Sequence, residues 1–348
     1  MSILPNINKS ISRQTVLVAP LDWGLGHATR CIPVVRALLA QQNRVLLAAE
    51  GASANLLQQE FPDLTILPLQ GYRIQYANTR FGFFWKIFFQ IPSILSSIRK
   101  EKKWLQQILG LHPIDWVISD NRFGLTHPSI HSVFITHQLA IQTGWKLIDR
   151  IVQRCNYFYI NQFTECWVPD YAGEDNLAGS LSHPVRLPAI PLNYLGPMSR
   201  MQPAPIEKTD TLMCLVSGPE PQRSIFEQIL VRELQQYSGP AILIRGLPLQ
   251  STPIRSLPSN VVQYNHLPAK ELNQWMLQSK WMIARAGYST IMDAWALQTK
   301  AIFVPTPGQT EQEYLAAYLR HTKKYYSVSQ KGFSLTKALR GLTSFEEA

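Results

Sequence analysis

The chain has 348 residues, of which 46% are hydrophobic and 16% charged, a composition that excludes a disordered protein and supplies apolar material for two domains. The net charge is +10, but both halves of the chain share the basic excess and no DNA- or RNA-reading motif is present, so nucleic acid is not expected as a partner. A dispersed positive excess suits an anionic substrate or an anionic membrane surface.

The four cysteines and the first residues of the chain indicate a cytoplasmic protein. Cys31, Cys155, Cys166 and Cys214 show no Cys-x-x-Cys spacing, which predicts reduced thiols, and no histidines stand at metal-ligand spacing. Residues 1–14 are polar and lack the apolar core of a secretory signal. No uncharged apolar run reaches the roughly 18 residues that a membrane-spanning helix needs.

Short apolar runs separated by helical stretches fill the first half of the chain. A strand is predicted at 15–20, followed by a glycine-containing turn and an amphipathic helix over 28–41. Further strands are predicted at 44–49, 64–68, 116–119 and 133–136. Strands that alternate with helices form parallel sheets covered on both faces, so residues 1–199 are predicted to be a Rossmann-like domain.

The same pattern restarts after a segment rich in proline and polar residues at 184–205, which predicts a linker. Helices separate the strands predicted there, the first helix lying at 224–237. These strands are expected at 211–217, 241–245, 261–264, 281–284 and 301–305. Residues 200–348 are therefore predicted to be a second α/β domain.

The loop after the first strand has a composition suited to a ligand. Gly24 and Gly26 allow the backbone to approach a ligand, and the helix that follows offers unpaired N–H groups. Gly-x-Gly alone is a weak signal, and the third glycine of a dinucleotide fingerprint is missing. His27 is at the helix entry, where it either moves protons near neutral pH or simply caps and packs the helix.

Two loops of the second half end strands and begin helices. Ser217 and Gly218 follow the first strand of that half, in a segment that ordinary turn formation also explains. The segment from Arg285 through Gly287 to the hydroxyls of Ser289 and Thr290 is more specific, because a helix N-terminus with hydroxyls suits an anion. Asp293 is one turn further on, where a carboxylate can accept hydrogen bonds from a ribose diol.

With this segment the second half resembles the donor domain of inverting GT-B glycosyltransferases, and most of all the MurG-type family that includes the GlcNAc transferase of peptidoglycan synthesis. The resemblance covers nearly the whole chain and is densest over residues 281–316. It implies two Rossmann-like, doubly wound domains that face each other across a cleft, with a last helix that can cross back to the first domain. It also implies transfer of a sugar from a nucleotide-sugar donor, UDP-HexNAc or UDP-hexose, to an acceptor hydroxyl.

Several residues acquire roles through this resemblance. Asp293 falls on the acidic residue that binds ribose, and Arg200 on the arginine of a diphosphate-binding motif. Gln312 and Glu313 fall on a Gln-Gln pair that contacts the donor sugar, and the glutamate in second place leaves the identity of the sugar open. On the acceptor side the implied residues are Gly24, Gly26, His137 and Gln138, and the last two are equally compatible with ordinary polar residues at a strand end.

Sugar transfer needs positive charge at the leaving diphosphate and a base for the acceptor hydroxyl. The sequence contains no Asp-x-Asp motif, which predicts inverting transfer without metal or cofactor. His27 is the predicted base, with Asp22 and Asp120 in reserve. The candidates for the positive charge are two helix N-termini and two arginines: Gly218, Gly287, Arg200 and Arg285.

An aromatic and apolar segment at 81–92 precedes a basic cluster at 99–104. Such a combination is typical either of a helix buried in the first domain or of a peripheral contact with an anionic membrane, which would admit a lipid-linked acceptor. The acceptor itself cannot be read from the sequence.

Two other functions remain compatible with the same architecture. One is a UDP-sugar epimerase or hydrolase of GT-B fold, which needs acidic residues near the anomeric carbon. The other is a non-catalytic protein that binds a nucleotide sugar, which would retain Asp293 and Gln312 but tolerate the loss of His27. A dehydrogenase is disfavoured because the glycine fingerprint is incomplete.

Overall fold

In a computed structural model the chain divides into two compact units, residues 1–200 and 201–348. The structure describes residues 11–22, 24–72, 80–141, 145–247, 253–254 and 256–347, with the backbone alone for 80–91 and 146. Each unit is a parallel sheet with helices between most of its successive strands, which confirms the predicted Rossmann-like fold class.

The first unit contains a seven-stranded parallel sheet in the order β3-β2-β1-β4-β5-β6-β7. Its strands are β1 (Thr15–Pro20), β2 (Arg44–Ala49), β3 (Thr65–Pro68), β4 (Trp116–Asp120), β5 (His131–Ile135), β6 (Glu165–Val168) and β7 (Leu192–Tyr194). Its helices are α1 (Leu25–Ala40), α2 (Gly51–Glu60), α3 (Arg80–Leu111) and α4 (Lys146–Ile160). Strands β1 and β2 are buried after their first residues, as expected for parallel strands covered on both faces.

The second unit contains a six-stranded parallel sheet in the order β10-β9-β8-β11-β12-β13. Its strands are β8 (Thr209–Leu215), β9 (Ala241–Ile244), β10 (Val261–Tyr264), β11 (Ser279–Ala284), β12 (Ala301–Phe303) and β13 (Tyr326–Ser327). Its helices are α5 (Gln222–Leu234), α6 (Ala269–Gln278), α7 (Tyr288–Ala296), α8 (Thr310–His321) and α9 (Leu335–Glu347). Leu335, Ala338 and Leu342 of α9 belong to the hydrophobic core of this unit, so the last helix packs there.

Each sheet has one position where the winding direction reverses. In the first unit the reversal falls between β1 and β4, and in the second between β8 and β11. In doubly wound sheets the connections that leave such adjacent strands run to opposite faces, and ligands bind there, at the carboxyl ends of the strands. The fold therefore marks two places for ligands: the loops after β1 and β4, and the loops after β8 and β11.

Three short strands were not predicted: β6, β7 and β13. The predicted linker at 184–205 contains β7, which pairs with β6 at the edge of the first sheet. These strands have only four, three and two residues. Such short runs carry little periodicity, and pairing with a neighbouring strand decides whether they form a strand or a loop.

Helix α3 includes the segment that was predicted to contact either membrane or core. The side chains of 81–91 lie outside the described residues, whereas Ile98, Glu101 and Leu105 further along the helix are buried. Within the described part of the chain, no helix is long and apolar enough to cross a membrane.

Candidate functional site

The loop after β1 is fixed against the loop after β3. The Oδ1 atom of the half-buried Asp22 accepts a hydrogen bond from the backbone N–H of Tyr72 at 3.1 Å. A Cβ at Gly71 would stand 1.8 Å from Oδ2 of Asp22, so only glycine leaves room for this carboxylate. Gly24, with φ of +79°, then precedes the first residue of α1. This conformation favours glycine and turns the chain from the strand into the helix.

A cluster of charged and titratable side chains lies where α1 meets the ends of β4 and β5. The guanidinium of Arg30 binds Asp120 through two of its nitrogens, Nε donating to Oδ2 at 2.7 Å and Nη2 to Oδ1. Nη2 of Arg30 is also 2.8 Å from Nδ1 of His27, which in turn is 3.2 Å from Oδ2 of Asp120. Nη1 of Arg30 is 3.3 Å from Nδ1 of His137. The structure thus brings His27, Asp120 and His137 together around one arginine.

The members of this cluster differ in their access to solvent. The side chain of Asp120 is 0% exposed and that of Arg30 2%, whereas the His27 side chain is 17% exposed. No described residue forms a hydrogen bond with Nε2 of His27. His27 is therefore the member of the pair that can reach a bound molecule, while Asp120 acts behind it.

Neighbouring charges change the pKa of Asp120 more than its burial does. Desolvation alone would raise the pKa of this carboxyl, but the neighbouring charges, that of Arg30 first, lower it to about 2. The pKa of His27 is lowered by burial and then by the charge of Arg30, against the opposing effect of Asp120. Cys31, 3.8 Å from Oδ2 of Asp120, has a thiol pKa raised well above its usual range by burial. At neutral pH the cluster thus consists of an ion pair between Arg30 and Asp120, a neutral imidazole at His27 and an inert thiol.

The remaining acceptor-side candidates lie around the same edge. Gly26 accepts a hydrogen bond from the Thr29 hydroxyl at 2.9 Å in the first turn of α1. The backbone N–H of Gln138 donates to Oγ1 of Thr136 at 3.0 Å, in the loop that leaves β5.

Sequence reasoning missed Arg30. Its spacing of three residues from His27 on one helix was the available signal, because residues i and i+3 share a helical face.

A second buried network supports the loop edges of the first sheet. Arg122 donates from Nε to the carbonyl of Pro20 at 2.9 Å and from Nη1 to Oε1 of Glu101 at 2.8 Å. The other carboxylate oxygen of Glu101 accepts from the Tyr72 hydroxyl at 2.7 Å. The network connects α3 to the ends of β1 and β4 and so holds the Asp22 loop in place.

In the second unit, the predicted donor residues follow the two paired strands at which the winding reverses. Ser217 and Gly218 come after β8, and Gly218 adopts a φ of +108°. Gly287 precedes α7, whose first turn contains Ser289 and Thr290, and all three residues are half-buried. Asp293 is one turn further along the same helix and is also half-buried. Accessible N–H groups, hydroxyls and a carboxylate therefore share one sheet edge.

Arg285 has a different environment from that expected. The residue is 1% exposed, and its guanidinium donates to the carbonyls of Val304 at 3.3 Å, Pro305 at 3.3 Å and Gln222 at 3.0 Å. It also stacks on the Phe226 ring, 4.0 Å from the centroid, and burial lowers its pKa to about 10. Arg285 thereby connects the end of β11 with the segment after β12 and with the start of α5, beside the predicted donor residues.

The side chains of Gln312 and Glu313 accept hydrogen bonds from backbone N–H groups of the loop that precedes them in the chain. Oε1 of Gln312 accepts from the N–H of Thr306 at 2.9 Å, and Oε1 of Glu313 accepts from the N–H of Gly308 at 2.9 Å. The side-chain amide of Gln312 donates to Oε1 of Gln309 at 2.5 Å. Both side chains hold the loop that enters α8.

Arg200 belongs to the first unit, at whose end it lies. Its side chain is 9% exposed, and Nη1 is 4.0 Å from Oε1 of Glu60. Its carbonyl accepts from Nη1 of Arg36 at 3.4 Å. The guanidinium thus has a carboxylate nearby in its own unit.

A buried charge network behind the donor edge was also missed. Glu227 receives Nη1 of Arg223 at 2.5 Å and is bound by Nε and Nη2 of Arg245 at 3.1 and 3.0 Å. Gly246, with φ of +67°, follows Arg245, and a Cβ there would stand 2.6 Å from the carbonyl oxygen of Val216. The network and this close backbone approach hold the loops after β8 and β9 together.

Among the described residues, no group of three or more His, Cys, Asp or Glu side chains is arranged to hold a metal ion.

Comparison with known proteins associates this chain with sugar-transferring enzymes. Residues 248–348 match the model of the glycosyltransferase family 28 C-terminal domain. An uncharacterized glycosyltransferase from Methanosarcina mazei is 23% identical over 325 residues, which is 85% of this chain and 80% of that protein.

Three solved structures illustrate the similarity of fold. The calicheamicin glycosyltransferase CalG4 is similar with a TM-score of 0.65 and 12% identity, over 95% of this chain and 89% of its own. MurG of Acinetobacter baumannii gives 0.54 and 14%, over 95% and 90%. The spinosyn rhamnosyltransferase SpnG complexed with thymidine diphosphate gives 0.56 and 16%, over 96% and 90%. At these identities the similarity establishes the fold.

Proposed function

We propose that this chain, a GT-B glycosyltransferase whose residues 248–348 match the family 28 C-terminal domain, transfers a sugar from UDP-HexNAc or UDP-hexose to an acceptor hydroxyl. The transfer inverts the anomeric centre and uses no metal. The single observation that carries the proposal is the family match, because it covers all donor-site candidates from Arg285 to Glu313.

The second unit supports binding of a nucleoside diphosphate. The N-terminus of α7 and the hydroxyls of Ser289 and Thr290 suit a phosphate, and the carboxylate of Asp293 suits a ribose diol. These groups lie where a doubly wound sheet binds ligands. The similar structure of SpnG with thymidine diphosphate supports the same class of ligand.

The first unit supports a reaction centre at His27. Its ring is the partly exposed member of the buried cluster, and Asp120, with no exposed surface, holds Arg30 beside it. Asp22, in the loop after β1, is a carboxylate of this edge that has exposed surface. The position of the proton on His27 depends on Arg30, whose Nη2 is 2.8 Å from Nδ1 of His27.

A panel of UDP-, GDP- and dTDP-sugars, assayed by thermal shift, tests the donor site. We expect UDP-sugars to raise the melting temperature, and Asp293→Ala to reduce that rise. Asp210→Ala is the matched control, because Asp210 pairs with Lys280 near the start of β8, a surface position where the carboxylate is 78% exposed. The absence of a shift with every donor would contradict the proposal.

Product analysis separates transfer from the other reactions of a GT-B protein. Transfer releases nucleoside diphosphate only when an acceptor is present, whereas a hydrolase releases it from the donor alone. An unchanged rate in EDTA is expected if the reaction needs no metal. Conversion of the donor to its epimer would contradict the proposed transfer.

Peripheral contact with an anionic membrane is part of the proposal. Helix α4 exposes three large apolar side chains, Leu147, Ile151 and Phe158, and Arg150 and Arg154 are exposed on the same helix. Apolar and basic residues side by side suit a surface of anionic lipid.

Sedimentation with vesicles tests this contact. We expect binding to vesicles of phosphatidylcholine with phosphatidylglycerol, and weaker binding after Ile151→Ser with Phe158→Ser. Val185→Ser is the control, since Val185 is fully exposed but lies outside α4. Equal sedimentation with pure phosphatidylcholine would refute the contact.

A further inference from the structure

One arginine, Arg30, contacts both histidines of the charged cluster in the first unit. Arg30 binds Asp120 through Nε and Nη2. Nη2 is also 2.8 Å from Nδ1 of His27, and Nη1 is 3.3 Å from Nδ1 of His137. A guanidinium is a donor at every nitrogen and stays protonated in proteins. An atom that lies 2.8 Å from such a nitrogen must therefore be an acceptor.

This requirement decides where the proton of His27 resides. A proton on Nδ1 would point toward Asp120, 3.2 Å away, but would place two N–H groups against each other at the shorter distance to Arg30. Both oxygens of Asp120 are already bound by Arg30. In the neutral ring, an accepting Nδ1 leaves the proton on Nε2.

We propose that Arg30 is a positioning residue that holds Nδ1 of His27 and Nδ1 of His137 as hydrogen-bond acceptors and thereby fixes the proton of the neutral His27 ring on Nε2. The proposal rests on the function proposed above and deepens it, because Nε2 of His27 then presents a hydrogen-bond donor to a substrate oxygen. His27 is accordingly a donor at the reaction centre, and the proton of the acceptor hydroxyl goes to another group, for which Asp22 is the candidate.

The charge balance of the cluster supports this assignment. Arg30 and Asp120 form a neutral pair with almost no exposed surface, so a proton taken up by His27 would leave a net positive charge in a buried site. Burial and the charge of Arg30 both lower the pKa of His27. An imidazole in this setting is a poor proton acceptor and a well-oriented donor.

Nitrogen NMR of the ring nitrogens tests the tautomer without any substrate. The protein contains eight histidines, and His27→Gln and His137→Gln assign the two signals by their loss. In the unmodified chain labelled with ¹⁵N-histidine, we expect a bare Nδ1 at both residues and a protonated Nε2 at His27. In Arg30→Met the His27 signal should change to a protonated Nδ1 bound to Asp120. A protonated Nδ1 at His27 in the unmodified chain would overturn the proposal.

A pair of substitutions tests the donor role during turnover. The amide nitrogen of glutamine reaches the position of Nε2 and keeps an N–H there, but it cannot act as a base. We expect His27→Ala to lower kcat about 100-fold or more, as the loss of an oriented donor does, and His27→Gln to lose at least tenfold less. Equal losses would overturn the donor role. If the unmodified chain transfers no sugar, the proposed function fails while the NMR result still decides the tautomer.

Discussion

Removing Arg30 should reveal how much the fold depends on the buried ion pair with Asp120. In the intact chain the neighbouring charges, that of Arg30 above all, hold the pKa of Asp120 at about 2, below its ordinary value of 3.8, even though burial acts in the opposite direction. A depression of this size corresponds to about 2 kcal/mol of stability. That contribution is present above the unfolded pKa near 4 and is lost as the pH falls through about 2.

Arg30→Met leaves the carboxylate buried without its cation. Burial then dominates, the pKa of Asp120 rises above its ordinary value, and we expect a loss of about 3–5 kcal/mol at pH 7.5. Because the folded variant binds a proton more readily than its unfolded chain, its loss of stability relative to the unmodified chain should become smaller as the pH falls toward 4. Urea unfolding at pH 7.5 and pH 5, followed by tryptophan fluorescence, measures both values.

The double variant Arg30→Met with Asp120→Asn separates charge from packing. It removes the buried charge while keeping the volume of the residue, so we expect it to regain at least half of the stability lost at pH 7.5. An equal loss at both pH values, with no recovery in the double variant, would refute the electrostatic explanation.

Three further substitutions address the two sites. His27→Ala should lower kcat about 100-fold while the donor-induced thermal shift stays unchanged, and an unchanged kcat would remove His27 from the reaction centre. Glu227→Gln should cost about 3 kcal/mol in urea unfolding, because two buried arginines then share no carboxylate there. Gly246→Ala should cost about 1–3 kcal/mol through its φ of +67° and the close Val216 carbonyl, whereas Gly110→Ala, with no atom within 4 Å of its Cβ, should leave stability unchanged or higher.

Local sequence features were sufficient for the architecture and the donor segment. The alternation of buried strands with helices predicted two parallel sheets, and strands β1, β2, β10 and β11 were predicted within about two residues of their ends. The segment from Arg285 to Asp293 was recognised because strand end, glycine, hydroxyls and carboxylate follow one another directly in the chain. The comparisons support the glycosyltransferase that this resemblance implied, since residues 248–348 match the glycosyltransferase family 28 C-terminal domain and solved glycosyltransferase structures share the fold.

Local sequence features could not predict the side-chain environments at these positions. Arg285 was predicted to face a diphosphate, but three backbone carbonyls and the Phe226 ring surround it. The carbonyls belong to α5 and to the segment after β12, which are far from Arg285 in sequence. Gln312 and Glu313 similarly hold the loop at 306–308, a contact that depends on the path of that loop.

The sequence by itself determined that two doubly wound sheets form and that polar residues stand at the carboxyl ends of their strands, because periodicity and glycine-containing turns act over a few residues. Only the tertiary structure decided which of those polar residues meet. Arg30 and Asp120 are ninety residues apart in the chain and become partners because β1 and β4 are neighbours where the sheet reverses its winding. The proton on His27, and with it the chemistry of the site, is set by that contact.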